Sequence, residues 1–334
     1  MVIHAYADEK IMLMMRRVIG LASVLVLAAS AVDAQEKYPN KPIRMLVGFT
    51  AGSGTDFLAR TIGQKMSESW AQQVVVDNRP GAGGVIASEI LARATPDGYT
   101  LIIVSNGHAV NASLFSKLPY DTLRDFAGVT YLADVPNVLF ATSSLGLKSV
   151  RDLIELVKSK PKQVNYGSAG MGTAGHMNTE LFNFAAGIKV VHIPFKGAPE
   201  ALTNTIGGSV QYGFLPIPVV APLVKAGKVT GLAVSTKNRT PVLPEMPTVA
   251  EGGIPGFDFS GWYGMFAPAK TPHDVKDQLA KEIARIFALQ DVNERLLTQG
   301  ATPHPTSPEE LDAFIKEEVA RMGKLIRDAG IRVE

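Results

Sequence analysis

Three loops of this chain could hold an anion. Gly48–Asp56, Asn78–Gly84 and Gly167–Gly175 are rich in glycine. Each follows a short apolar run and leads into a helical pattern, and a fourth turn of this kind surrounds Gly197. At a helix N-terminus the first backbone N–H groups have no helical acceptor and sit at the positive end of the dipole. Such a loop binds an anion without a charged side chain. A single Gly-rich loop is explained as well by a tight turn. Several of one kind, spread over two halves of the chain, favour a binding site.

Other chemistry has little support. Gly170-Met171-Gly172-Thr173-Ala174-Gly175 matches G-x-G-x-x-G, but the stretch Val190–Phe195 lacks the acid that a dinucleotide site needs about 20 residues on. No P-loop and no G-x-S-x-G occurs. Gly48-Phe49-Thr50-Ala51-Gly52 sets a threonine in the latter frame, a faint hydrolase signal. Neither His108 nor His192 has an acid partner legible in the sequence. The histidines beyond His4 fall in no metal-ligand spacing, and His176, just inside a helix, reads as a polar or capping residue. No cofactor and no metal is expected. The absence of cysteine excludes disulfides, thiolate metal sites and a cysteine nucleophile. With 33 basic against 31 acidic residues, the net charge of +2 forms no nucleic-acid footprint.

The elements that would carry the loops alternate. Ile43–Gly48, Gln73–Asp77 and Thr100–Val104 read as strands, with helices over Phe57–Met66 and Val85–Ala94. The rhythm restarts with strands at Asn137–Thr142, Gln163–Tyr166, Lys189–Ile193, Val210–Phe214 and Val229–Val234. Helices at Val150–Lys158, His176–Ala185 and Glu200–Ile206 lie between them. Pro241–Pro255 is a connector, Trp262–Pro268 a last strand, and Pro272–Leu289 and Pro308–Ala329 are long helices. This is α/β architecture in two doubly wound halves, the size expected of about two domains for 334 residues. Residues 1–34 are set apart. Arg16-Arg17, the apolar run Val18–Ala29 and the small-residue exit before Gln35 read as a secretory signal peptide cleaved near Ala34, with Met14 or Met15 as the start of translation. The apolar run is shorter than the ~20 residues a membrane span needs.

The chain resembles the Bug-type periplasmic solute-binding receptors of tripartite tricarboxylate transporters. The resemblance runs from about Tyr38 to Ile331. In the first half it is carried by Tyr38–Arg44, Gly52-Ser53-Gly54-Thr55-Asp56 with Ala59-Arg60, Val76–Gly84 and Pro96–Leu101. In the second half it is carried by Asn165–Ser168, Gly172-Thr173, His176, His192–Gly197, Ala226–Lys228, Pro247–Glu251 and Trp262–Gly264.

The resemblance implies a type II periplasmic binding protein, a Venus flytrap with a ligand cleft between its lobes. Lobe 1 would take residues 35–135 and 258–334, lobe 2 residues 136–257, with crossings near Asp134–Asn137 and Phe257–Ser260. It implies a periplasmic monomer that is not an enzyme. The receptor would close on a small carboxylate, held by backbone amides and ordered water, and present it to permease subunits or to a sensor protein. The first loop supplies Phe49, Thr50, Gly52, Ser53, Gly54, Thr55 and Asp56 as expected contacts. The second lobe supplies Ser168, Gly170, Gly172 and Thr173, with Ser105, Asn106 and Lys196 as further contacts. Thr55 and Asp56 read equally as helix N-caps, and Lys196 equally as a solvated rim charge. Leu215 stands where many members of the family carry an acid that could meet a ligand amine. An amino-acid ligand is therefore disfavoured, and an acid with an apolar, aromatic or branched body packed near Leu215 and Trp262 is expected. The reading from another class is an exported hydrolase of small carboxylic esters or amides using a hydroxyl in the same cleft.

Overall fold

The computed structural model describes residues 38–298, 300–328, 330 and 331; the expected signal peptide lies outside them. From Lys41 onward the chain forms one compact unit. It opens with β1 (Ile43–Val47), α1 (Gly54–Trp70), β2 (Val74–Asn78), α2 (Val85–Ala92), β3 (Thr100–Ser105) and α3 (Gly107–Leu114). The long strand β4 (Phe126–Val135) then passes over Pro136 directly into β5 (Asn137–Thr142). The second half continues with α4 (Val150–Ser159), β6 (Asn165–Ser168), α5 (Ala174–Ala186), β7 (Val191–Pro194) and α6 (Ala198–Ile206). It ends with β8 (Tyr212–Pro216), α7 (Ile217–Lys225) and β9 (Val229–Val234). Last come β10 (Gly261–Pro268), α8 (His273–Phe287), α9 (Gln290–Thr298), β11 (Thr302–Pro303) and α10 (Pro308–Asp328).

Two sheets result, one in each lobe. The first has the order β11-β4-β10-β3-β1-β2 and the second β7-β6-β8-β5-β9. In each, three parallel strands (β2, β1, β3 and β7, β6, β8) are followed by an antiparallel one. That antiparallel strand is β10 in the first sheet and β5 in the second, and each begins where the chain arrives from the other sheet. The sheets are thus mixed, because each lobe closes its parallel core with a returning strand. The parallel strands read as apolar runs since helices cover both faces. Met45, Leu46 and Phe266 are fully or almost fully buried in one sheet, and Phe140, Tyr212 and Phe214 in the other.

Most elements stand within a few residues of their expected places. The strand Phe126–Val135 and the helices Gly107–Leu114, Ile217–Lys225 and Gln290–Thr298 were not anticipated. Ile217–Lys225 carries Pro218 and Pro222. Pro218 lies in the first turn, where a missing N–H costs nothing, and Pro222 follows within the helix. None of the described helices is long and apolar enough to cross a membrane.

Candidate functional site

Two helix N-termini, one from each lobe, line the same cavity. Ser53 caps α1: it is extended (φ −72°, ψ 163°) and its Oγ accepts from the Asp56 amide at 3.4 Å. Thr173 caps α5 in the same way (φ −64°, ψ 160°), with Oγ1 accepting from the His176 amide at 3.3 Å. Each cap satisfies the third helical N–H. The first two, of Gly54 and Thr55 in α1 and of Ala174 and Gly175 in α5, have no helical acceptor, and all four residues line the cavity. Ala198, the first residue of α6, and Asn106, the N-cap of α3, also line it. Each helix end carries roughly half a positive charge. No Lys, Arg, His, Asp or Glu is among the lining residues. The site is electropositive through its backbone alone.

The cavity measures about 40 Å³. Phe49, Val135, Leu215 and Pro216 supply apolar wall, while Ser105, Asn137, Gly261, Trp262 and Tyr263 complete much of the rest. Tyr263 is buried, and its hydroxyl lies over Gly54, where a Cβ would collide with it. Burial raises the Tyr263 phenol above its usual range, so it is a neutral donor. Asn106 is engaged otherwise: its Oδ1 accepts from the Trp262 amide at 2.9 Å and its Nδ2 donates to the Ser260 carbonyl at 3.5 Å.

The lobes touch at the rim through glycines. A side chain at Gly83 would strike the Met171 carbonyl, one at Gly172 the Asn111 amide, and one at Gly197 the Thr50 hydroxyl. A Cβ at Gly170 would lie 3.8 Å from the Gly83 Cα, and one at Gly52 3.6 Å from Pro199.

Of the residues anticipated as contacts, Phe49, Ser53, Gly54, Thr55, Ser105, Asn106, Thr173, Leu215 and Trp262 come together on this cavity. Trp262 does so with its indole turned elsewhere. The ring packs on Tyr131 and Phe314 and Nε1 donates to Glu318 at 3.2 Å. Neighbouring strand residues face opposite ways, so the aromatic ring that reaches α1 is that of Tyr263.

Thr50, Gly52, Asp56, Ser168, Gly170, Gly172 and Lys196 do not line the cavity. Asp56 braces the first loop, accepting from the Gly52 amide (2.9 Å), Arg60 Nε (3.0 Å) and Asn78 Nδ2 (3.0 Å). Burial works to raise its pKa, and the bonds from Arg60, Gly52 and Asn78 outweigh this and lower it. The N-cap is Ser53, not Thr55 or Asp56. The Gly170 amide donates to Ser168 Oγ at 3.1 Å, and the Gly172 amide to His176 Nδ1 at 3.2 Å. Ser168 Oγ shares a 2.7 Å hydrogen bond with His192 Nε2 and lies 3.0 Å from the Gly170 carbonyl. His192 is stacked between Tyr166 and His176. Burial lowers His176 to about 4 and, with the neighbouring His176, His192 to about 3. Both are neutral supports of the loop. Lys196 is exposed at the rim.

Sequence reasoning did not single out Val135, Asn137, Ala169, Ala174, Gly175, Ala198, Pro216, Gly261 or Tyr263. Ala174 and Gly175 could have been inferred from Thr173 as an N-cap. For Asn137 and Tyr263 the local sequence holds no such signal.

Residues 58–331 match the model of the tripartite tricarboxylate transporter family receptor. The chain belongs to that family. Its Bug character shows in the periplasmic binding protein BugD, whose solved structure is similar to this one at TM-score 0.85 and 32% identity, covering 89% of this chain and 100% of that one. A protein of R. palustris solved with adipate is similar at TM-score 0.86 and 36% identity, over 88% of this chain and 99% of its own. MatC of Rhodopseudomonas palustris, solved with malate bound, is similar at TM-score 0.83 and 32% identity, over 86% and 100%. The chain is thus a two-lobed solute-binding receptor of the Bug type.

Proposed function

We propose that this receptor is exported to the periplasm, captures a small organic carboxylate by lobe closure, and delivers it to a tripartite tricarboxylate-type permease. Presentation to a sensor protein is the close variant. The observation that carries the reading is the pair of capped helix N-termini, from opposite lobes, on one cavity without a charged side chain. A carboxylate there would accept from the Gly54, Thr55, Ala174 and Gly175 amides and from the Tyr263 hydroxyl. It would hold both lobes at once and so favour the closed form by contacts the open form lacks. Lobe 1 is taken as residues 35–135 and 258–334 and lobe 2 as 136–257, with Asp134–Asn137 and Phe257–Ser260 as the crossings about which they close. The adipate and malate of the two relatives support the ligand class. No His, Asp or Glu lines the cavity to activate a hydroxyl, which supports binding over hydrolysis.

The test is a thermal-shift panel on protein unfolded and refolded to strip bound solute, with aliphatic and aromatic carboxylates, amino acids and esters. A ligand at 100 times its dissociation constant adds about 2.7 kcal/mol. A shift with carboxylates, with the acid recovered intact, is expected. A shift with esters alone, with product released, would overturn the reading.

A further inference from the structure

We infer that the solute carries, besides its carboxylate, a second polar group that is uncharged and both donates and accepts a hydrogen bond, and that Asn137 reads it. This rests on the reading of the cavity as a carboxylate site. Asn137 is the first residue of β5, where the chain enters the second sheet, and it is fully buried. Its backbone is tied down: the amide donates to Ser235 Oγ at 3.1 Å and the carbonyl accepts from the Ser235 amide at 2.9 Å. Its side chain has nothing. Neither Oδ1 nor Nδ2 has a hydrogen-bond partner, and the residue lines the cavity. Buried carboxamides are rarely left so, because each unpaired group keeps its full desolvation penalty. A bound solute is the partner this position lacks.

The carboxamide specifies the chemistry of that partner. Whichever way the amide is turned, the carboxamide has a donor in Nδ2 and an acceptor in Oδ1 to be answered. A carboxylate answers Nδ2 but sets a negative charge against Oδ1. An ammonium answers Oδ1 and leaves Nδ2 unpaired. A hydroxyl, a carboxamide or a protonated carboxyl answers both. Val135, Leu215 and Pro216 offer no polar side chain for the task, and no charged residue lines the wall to offset a second anion. The preferred solutes are therefore hydroxy- and amido-carboxylates. A dicarboxylate enters with one carboxyl protonated, so its affinity falls about tenfold for each pH unit above that group's pKa. The one phenol on the wall, Tyr263, stays neutral throughout that range.

The experiment is calorimetric titration of the refolded protein with linear monocarboxylates of three to six carbons. Each length is offered with a terminal hydroxyl, carboxamide, carboxylate or methyl group, at pH 5 and pH 7. At the best length, the hydroxyl- and amide-terminated acids should bind at least tenfold more tightly than the methyl-terminated acid and, at pH 7, the dicarboxylate. Asn137→Leu should erase or invert this preference between terminal groups, with a cooperative melt showing that the variant is folded. Asn137→Asp, which keeps the shape, should lose every anion. If carboxylates bind but the terminal group makes less than a threefold difference, or if Asn137→Leu weakens all of them equally, Asn137 is not the reader and the inference falls while the receptor reading stands. If no carboxylate binds the unsubstituted protein, both fall.

Discussion

If the lobes close on the solute as proposed, Gly197→Ala should block closure without touching the ligand or the fold. Gly197 is extended (φ 176°, ψ 168°), a conformation any residue adopts. With the lobes apart the new methyl would clear Thr50, and the loss of a glycine from the unfolded chain favours folding by about 0.4–1 kcal/mol. In the structure as it stands the methyl collides with Thr50 Oγ1 and lies 3.4 Å from Thr50 Cβ, the contact that closure would make. Overpacking of this kind costs about 1–3 kcal/mol, and Thr50, β-branched, has few rotamers with which to escape. If the whole cost falls on the closed form, affinity drops by about 5- to 150-fold. The two effects have opposite signs: the unliganded protein melts at the same temperature or slightly higher, while its ligand binds more weakly. Thr50→Ala removes Oγ1 and leaves an ordinary contact, so the double variant regains affinity. Calorimetric titration of the four proteins of this cycle, with the melting temperature of each, makes the test. Undiminished affinity in Gly197→Ala, or a double variant no better than the single one, would refute the contact as a feature of the closed form.

Three further outcomes follow from the same geometry. Tyr263→Phe removes a hydroxyl that makes no hydrogen bond among the described residues, so stability should stay within about 0.5 kcal/mol while carboxylate affinity falls roughly tenfold or more, the worth of a hydrogen bond to a charged group; unchanged affinity in titration would exclude the phenol from the site. Glu318→Ala strips the acceptor from Trp262 Nε1 and the partner from Arg321 and should lower stability by about 1–3 kcal/mol in urea melts, and full stability would contradict it. Stability should also depend on pH through His108, His176 and His192, whose burial lowers them to about 3, 4 and 3. Their folded forms are neutral, so the unfolded chain binds more protons below pH 6.5. Stability is whole above that value and is lost as pH falls toward 4, by about 1.4 kcal/mol per unit for each histidine. A flat urea-melt profile from pH 6.5 to 4.5 would show that these rings are not buried neutral.

The alternation of apolar runs and glycine turns made both halves legible, because a parallel strand covered on both faces leaves a continuous apolar signature. Phe126–Val135 carried a weaker one: Thr130 and Asp134 interrupt it, and pairing with β10 makes it a strand. The site was legible where it is local. Ser53 and Thr173 are capping residue types at the ends of Gly-rich loops that lead into helical patterns, and the cavity follows from the N–H groups they leave over. It was misleading where side chains compete for the backbone. Gly170 and Gly172 look like ligand amides until Ser168 and His176 are found accepting from them. Trp262 and Tyr263 are adjacent aromatics, and only the packing of Phe314 and Glu318 decides which one turns away from the cavity. Asn137 draws its character from Pro136 and the passage between sheets, a property of topology that no window of sequence contains.

Asn106 separates two roles that the sequence could not. As a ligand contact, it would give up affinity when replaced and leave the fold alone. Its amide, however, holds the strand that returns from the second lobe, through Trp262 N at 2.9 Å and Ser260 O at 3.5 Å. The bond to Trp262 is buried and short, and the one to Ser260 is at the outer limit of a hydrogen bond. Asn106→Ala therefore strands the Trp262 N–H at the root of β10, where the desolvation penalty is about 1–3 kcal/mol. The expected outcome is a lowered melting temperature in the unliganded protein, with hydrogen exchange accelerated at Gly261–Tyr263 and less affected in β1 and β3. Affinity at a temperature where the variant is fully folded should change far less than in Tyr263→Phe. Should Asn106→Ala keep its melting temperature and lose its ligand, the amide would have to leave the crossing strand on binding, and the lobes would close about a hinge released by the solute instead of one tied in advance.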